Sequence, residues 1–365
     1  MLTCGYLRLL SERGWTIVLH VLLNQVVLVM ENPNMLKINS SIQVATAGEA
    51  LIDFIANADG RFEPCLGGAV YNLTRALARQ GVGTLYLNPL SRDRFGRQLA
   101  AGFAQDSVHL AVPEPVVQVT SLAVVNVNDQ GHPDYAFYRE GVADRATTAT
   151  ALTQACHELE DLSLVCTGAL ALSPDDADTY LPWLAGQRQA GRTVVIDANL
   201  RPSVMPNLEQ YRRHVLTALQ YADVIKASDE DLSCLNLPGE DAVAQAQHLL
   251  QCGRAGVLAL TLGAKGAAIL TRHGQLFQAQ ESEPVAVVDT VGAGDCFLAG
   301  LVAAMLANKL PADWGNAAVS GEVARSLLGS AIASASLCVM QRGCVPPTRA
   351  EVAQRLANTP CVFTA

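Results

Sequence analysis

The 365-residue chain has no long run of lysine or arginine, and 34 acidic side chains outnumber its 25 basic ones. A net charge of −9 argues against nucleic acid or an anionic membrane as a partner. It leaves room for a nucleotide, because backbone amides and a metal can neutralise phosphate locally. No segment has the phosphate-loop pattern of glycine, four residues and Gly-Lys-Ser/Thr. A dinucleotide fingerprint would need a third glycine where Phe297 stands. The ten cysteines, at 4, 65, 156, 166, 234, 252, 296, 338, 344 and 361, lack the close pairs of zinc sites. Most lie in apolar surroundings, the pattern of reduced, buried thiols in a cytoplasmic protein. None is assigned to a disulfide or a metal, and Cys296 is expected to pack. No internal repeat or low-complexity linker divides the chain, which predicts one domain.

The longest apolar run, Trp15 to Met30, is interrupted by His20, Asn24 and Gln25, too short and polar for a membrane span. Glu31-Asn32-Pro33-Asn34 after it lacks the small-residue pattern of a signal cleavage site. Residues 1–40 are therefore expected to be an extension outside the fold, with Met30 or Met35 as an alternative start.

With 50% hydrophobic residues the chain can build a full core. From Ile42 onward, apolar strand-like runs alternate with helical stretches, which predicts an α/β fold with a mostly parallel sheet covered on both faces. Expected strands are Gln43–Thr46, Leu162–Cys166, Thr193–Asp197, Asp223–Lys226 and Gly256–Leu262, with a short buried strand at Val285–Val288. Val70, Leu73 and Leu77 predict a helix ending at Gly81. Leu122–Asn128 and Asp134–Arg139 alternate around a polar turn and predict an antiparallel hairpin; with residues 53–62 they would form a small β lid. A second hairpin is expected around His273-Gly274.

Asp289-Thr290-Val291-Gly292-Ala293-Gly294-Asp295 precedes a helical apolar repeat, Phe297, Leu298, Leu301, Val302, Met305 and Leu306. Glycines there bring backbone amides close to an oxyanion, and a helix N-terminus adds partial positive charge. Asp295 places a base beside that cradle. Gly67-Gly68 lies just before the first predicted helix and Asn72 in its opening turns; an Asn amide donates to and accepts from sugar hydroxyls. Asp53 follows the first strand and could accept two hydroxyl hydrogen bonds, although a solvated turn carboxylate would look the same.

Together, Gly67-Gly68 with Asn72 and Asp289-Thr290-x-Gly292-Ala293-Gly294-Asp295 resemble the paired signatures of the ribokinase-like (PfkB) carbohydrate kinases, in order and spacing. The resemblance covers about Val44 to Pro347. It implies a Rossmann-type three-layer α/β sandwich with a lid, and transfer of the ATP γ-phosphoryl group to a sugar hydroxyl. It further implies that Asp295 is the base and that the amides of Gly292, Ala293 and Gly294 hold the phosphate. Asp53, Gly67, Gly68 and Asn72 would bind sugar, and Thr261, Gly263 and Gly266 would line the nucleotide loop. The family's metal-associated Asn-x-x-Glu corresponds to Ser228-Asp229-Glu230-Asp231, so Mg²⁺ would be organised through Asp231 or Glu230, with Ser228 on the nucleotide side. Asp289 matches the position near which some members hold a monovalent cation such as K⁺.

Phe137-Tyr138-Arg139 and Asp197-Ala198-Asn199-Leu200-Arg201 resemble the fructokinase and ketodeoxygluconate kinase branch, with Arg139 and Arg201 as substrate contacts. Ketodeoxygluconate kinases carry Tyr where Phe137 stands, which favours a fructokinase-like enzyme. Ketodeoxygluconate kinase, ribokinase or nucleoside kinase activity, and a silent sugar or nucleotide sensor, remain as alternatives. Lys226, His132 and His273 are expected to be structural or surface residues, and the lid edges to support a homodimer.

Overall fold

The computed structural model describes residues 42–364 except 57–59, 128–132, 158, 203, 204, 311, 312 and 317, together with three strands of the N-terminal segment. These three, Leu7–Leu10, Thr16–Leu22 and Gln25–Glu31, form an antiparallel sheet that shares no strand with the other two.

The central sheet runs in the order Val362–Thr364, Leu276–Gln280, Ala267–Thr271, Val257–Thr261, Val224–Ser228, Thr193–Asp197, Leu164–Gly168, Val44–Thr46, Thr84–Tyr86, His109–Leu110. From Val257–Thr261 to His109–Leu110 every pairing is parallel, and the three strands at the other edge are antiparallel. Alternation of side chains along a strand makes the three layers. Val165, Ile196, Ile225 and Leu258 enter one apolar cluster, while Cys166, Val195, Val224 and Val257 enter another on the opposite face. Each fully buried Val, Leu or Ile contributes roughly 1.5–3 kcal/mol, so both faces are strongly committed to helix cover.

One of these covering helices, Ala293–Ala307, is apolar almost all round. It is wedged against Ala69–Arg79 and Gly321–Val339, so polar faces are not required of it. Among the described residues Gly321–Val339 alone is long and apolar enough to cross a membrane, and most of it is buried in this core.

The expected lid hairpin is present as Ser121–Val127 and Pro133–Tyr138, paired Leu122 to Tyr138. Its partners differ from the expected 53–62. Leu51–Ala56 pairs with Ser121–Val127 in parallel, and Phe62–Gly67 completes a four-stranded sheet. The turn between them passes through Gly60 at φ 79°, so the second strand begins where the sequence reading ended one.

Val285–Val288 is not a buried strand. Val362–Thr364 already pairs with Leu276–Gln280 at that edge of the sheet, so the segment after Gln280 crosses the surface. Val287 and Val288 are 60% and 63% exposed. Only the amides of Val288 and Asp289 are anchored, both to the Val339 carbonyl. The hairpin Ala267–Thr271 with Leu276–Gln280 is as expected, and His273 at its turn meets only the Asn316 carbonyl. His132 lies outside the described residues.

Candidate active site

The parallel strands present their C-terminal ends to one crevice, where ligands of open α/β sheets bind. Gly168, Asp197, Ser228 and Thr261 are the last residues of four successive strands. Two helices point their N-termini into the same crevice, Ala69–Arg79 after Gly68 (φ 101°) and Ala293–Ala307 after Gly292 (φ 78°). Positive φ at both positions is why glycine stands there. Gly67 has a different reason: a Cβ on it would lie 2.0 Å from the Asp53 Oδ2, so glycine lets the Asp53 carboxylate rest against the backbone.

Asp295 and Asn72 meet. The Asn72 Nδ2 donates to Asp295 Oδ2 at 3.0 Å, and Asn72 Oδ1 has no partner among the described residues, leaving an acceptor for a substrate hydroxyl. Burial, and then the neighbouring Asp197, push the Asp295 carboxyl up to about 7, against the Asn72 hydrogen bond and the charges of Lys226 and Arg201. A carboxylate with affinity for a proton near neutrality suits a general base. Asp53 on the lid is pushed up to about 6 by burial, with Arg201 opposing.

Lys226, expected to be structural, belongs to the site. It is 4% exposed, its Nζ lies 3.0 Å from Asp197 Oδ1, and a Cβ on Gly294 would come within 2.9 Å of that Nζ. The ammonium therefore sits directly behind the anion turn. Burial alone would drive its proton off, but Asp197 and Asp231 outweigh burial and hold it cationic. Lys226 lies two residues before the end of its strand and pairs in register with Asp197, a placement the sequence alone does not reveal.

The turn itself is narrower as a cradle than expected. The Ala293 amide donates to the Thr290 carbonyl at 3.2 Å, so the amides of Gly292 and Gly294 are the ones the turn does not consume. Asp289 braces the turn, accepting from Val291 N at 3.0 Å and from Gly343 N at 2.8 Å. Each of its oxygens keeps further acceptor capacity.

Asp231 does not fit a direct metal ligand. Its Oδ2 accepts from Ser228 N and Oγ, both at 2.8 Å, and its Oδ1 from Leu200 N at 2.7 Å. The Ser228 Oγ accepts in turn from Asp231 N, closing a capping box on the helix Asp229–Leu235. A shorter acid and a shorter cap thus brace the loop that carries Arg201, and Glu230 stands exposed. Arg201 faces the crevice closely enough to lower Asp53, Asp197 and Asp295.

Arg139 is drawn towards the protein, although its Nε has no partner among the described residues. It is nearly buried, 3.6 Å from both Asp144 Oδ2 and Asp176 Oδ2, with Nη1 donating to the Leu170 carbonyl at 3.2 Å. Those contacts tie the end of the lid hairpin to the sheet. Glu49, which the sequence did not single out, caps the first helix: its Oε1 accepts from Ala69 N at 3.1 Å, and burial raises its carboxyl to about 7.

On the nucleotide side, Thr261 is in register with Ser228, and a single 3₁₀ turn, Gly263–Lys265, follows. Gly263 and Gly266 have φ of 57° and 90°, and a Cβ on Gly266 would strike the Ala279 carbonyl at 2.1 Å.

This arrangement, an anion cradle backed by a lysine and flanked by a base with a hydroxyl-binding amide, defines a kinase of the alcohol-phosphorylating class. The sequence profile of the pfkB family carbohydrate kinases matches residues 41–350, and the chain belongs to that family. It is 32% identical over 271 residues to a fructokinase of Rhizobium leguminosarum bv. trifolii, covering 73% of this chain and 81% of that one. A fructokinase of Salmonella typhimurium is 30% identical over 274 residues, covering 74% and 87%. Among solved structures, the fructokinase of Xylella fastidiosa with bound ATP superposes with a TM-score of 0.74 at 27% identity, covering 87% of this chain and 99% of that one. Aminoimidazole riboside kinase from Salmonella enterica has the same fold, with a TM-score of 0.69 at 22% identity over 86% and 99%.

Proposed function

We propose that this ATP-dependent carbohydrate kinase phosphorylates fructose or a closely related ketose. The observation that carries the chemistry is the Asn72–Asp295 hydrogen bond beside the Gly292–Gly294 turn. It sets a sugar-hydroxyl ligand, a base and an anion cradle at one point. The sugar hydroxyl donates to Asp295, which takes its proton as the oxygen attacks the γ-phosphorus of ATP and the bond to the bridging oxygen breaks, releasing ADP. Gly292 and Gly294 amides and the Lys226 ammonium face the charge on the transferred group. Asp53, braced by Gly67, accepts from other sugar hydroxyls, and Arg201 adds a donor. The lid then excludes water and limits ATP hydrolysis.

ATP fits the crevice by the glycine turns on both sides of it. A divalent ion would arrive with the nucleotide's own phosphates, since Asp231 is committed to Ser228 and Leu200. K⁺ near Asp289 fits the spare acceptor capacity of that carboxylate.

Fructose is favoured over ketodeoxygluconate, ribose or a nucleoside by the run of fructokinase relatives and by Phe137. An ADP-release assay with fructose, ketodeoxygluconate, ribose and adenosine tests this: fructose should give the highest kcat/KM. A higher value for any of the others would replace the sugar assignment, and no turnover with any would favour a sensor. The lid edge strands Phe62–Gly67 and Pro133–Tyr138, with Phe62 47% and Tyr138 61% exposed, support a homodimer formed through the lid. Sedimentation as a monomer at micromolar concentration would reject it. Nine free thiols among the described residues are in keeping with a cytoplasmic enzyme, and the net charge of −9 argues against nucleic acid or an anionic membrane as a partner.

A further inference from the structure

Behind the anion turn lie three cysteines that the phosphoryl-transfer chemistry does not use. Cys296 is in the first turn of the helix Ala293–Ala307, Cys338 is near the end of Gly321–Val339, and Cys344 is in the loop that follows. Sequence spacing hides them, since Cys296 and Cys338 are 42 positions apart. In the fold their three sulfurs lie within 4.8 Å of one another. Cys296 and Cys338 are 0% exposed, and Cys344 is half-buried, which gives the group one side open to solvent. Cys296 packs in the core as expected, and its sulfur also faces the other two.

We propose that Cys296, Cys338 and Cys344 form a binding site for a thiophilic d¹⁰ metal ion, zinc(II) being the representative probe. An ion with metal–sulfur bonds of about 2.3 Å holds its thiolates ~4 Å apart, so the observed spacing needs little rearrangement. The donors are all sulfur, with no imidazole or carboxylate among them, which selects soft ions over magnesium or calcium. The half-buried side at Cys344 leaves the fourth position of a tetrahedral zinc to water. Each thiol that ligates releases its proton to solvent, so affinity rises with pH. The ion would fasten the catalytic helix to the loop beneath it. Cys338 Sγ lies 3.5 Å from the Val291 carbonyl, and the Cβ of any residue replacing Gly292 would fall 2.2 Å from Cys344 Sγ.

The test uses the full chain, stripped of metal and kept reduced with a phosphine. Cobalt(II) titration should produce sulfur-to-cobalt charge-transfer absorption that saturates at one ion per chain, and zinc(II) should compete with a chromophoric chelator. Cys344→Ser, in the loop, should weaken zinc binding by at least ~10–100-fold, the loss known for merely outer-shell partners. Cys338→Ser should do the same. Cys252→Ser, at an exposed site elsewhere, should bind as the parent does, and circular dichroism should show each variant folded. Absence of the charge-transfer band with all thiols titratable would overturn the proposal. So would undiminished binding by folded Cys344→Ser. If Cys338→Ser does not fold, Cys344→Ser alone decides.

Discussion

Two helices begin in the same crevice and are built alike, yet only one is open to a phosphate. Ala69–Arg79 and Ala293–Ala307 each follow a glycine at positive φ, and neither has a side chain of its own N-cap residue bonded to its first amides. At the first, the buried Glu49 carboxylate accepts from Ala69 N, so the protein supplies its own anion. At the second, Gly292 and Gly294 amides are left by the turn, and Lys226 stands behind them. Backbone geometry therefore does not separate a structural helix start from a phosphate site; what the rest of the chain places in front of it does.

The sharpest way to break this comparison is to remove the base from the open end. Asp295→Asn should lower kcat by about 10²–10⁴-fold with the fold intact, and near-full turnover in an ADP-release assay would end the assignment. Next comes the cradle: Gly294→Ala, whose Cβ would meet Lys226 Nζ, should cost about 10²-fold in kcat, with less change in KM for the sugar. The pH profile is third. Because Asp295 titrates at about 7, kcat/KM should fall roughly tenfold per pH unit below that value, and a flat profile down to pH 5 would remove Asp295 as the titrating base.

The same shift has a stability sign. The Asp295 carboxyl is raised on folding, so its favourable contribution is present below the unfolded value near 4 and is lost as pH rises through about 7. Asp295→Asn should consequently be more stable than the parent at pH 8, by up to about 4 kcal/mol, with the gap narrowing as pH falls below 7 and closing near pH 4. The smallest effect is expected at the closed end. Glu49→Gln keeps an acceptor for Ala69 N and should change kcat less than tenfold, so a loss as large as that of Asp295→Asn would mean that the two helix ends share one function.

The sheet, the lid hairpin and the two glycine signatures were legible because each rests on local period or on glycine at a fixed place. Thr193–Asp197 matches residue for residue, since an apolar run ending in a polar residue at a sheet terminus has few other readings. Phe62–Gly67 was missed because Phe-Glu-Pro-Cys-Leu-Gly shows no clean alternation and Pro argues against a strand; edge position tolerates both. Val285–Val288 misled for the opposite reason, a valine-rich run whose neighbouring strand, Leu276–Gln280, is already paired with Val362–Thr364. Lys226, Glu49 and the cysteine triad depend on which side chains face each other across distant segments, and no window of sequence holds that information. The pairing of Arg139 with Asp144 and Asp176 is likewise not visible in the sequence.

The bond between Asn72 and Asp295 joins residues 223 positions apart. The contact is strongly non-local, so the entropy of closing the chain between them is lost before the contact returns anything. A ribosome must therefore release most of the chain before the crevice can exist at all. No proteolytic fragment that omits either helix can turn over ATP against a sugar, so the enzyme cannot be active while it is half made.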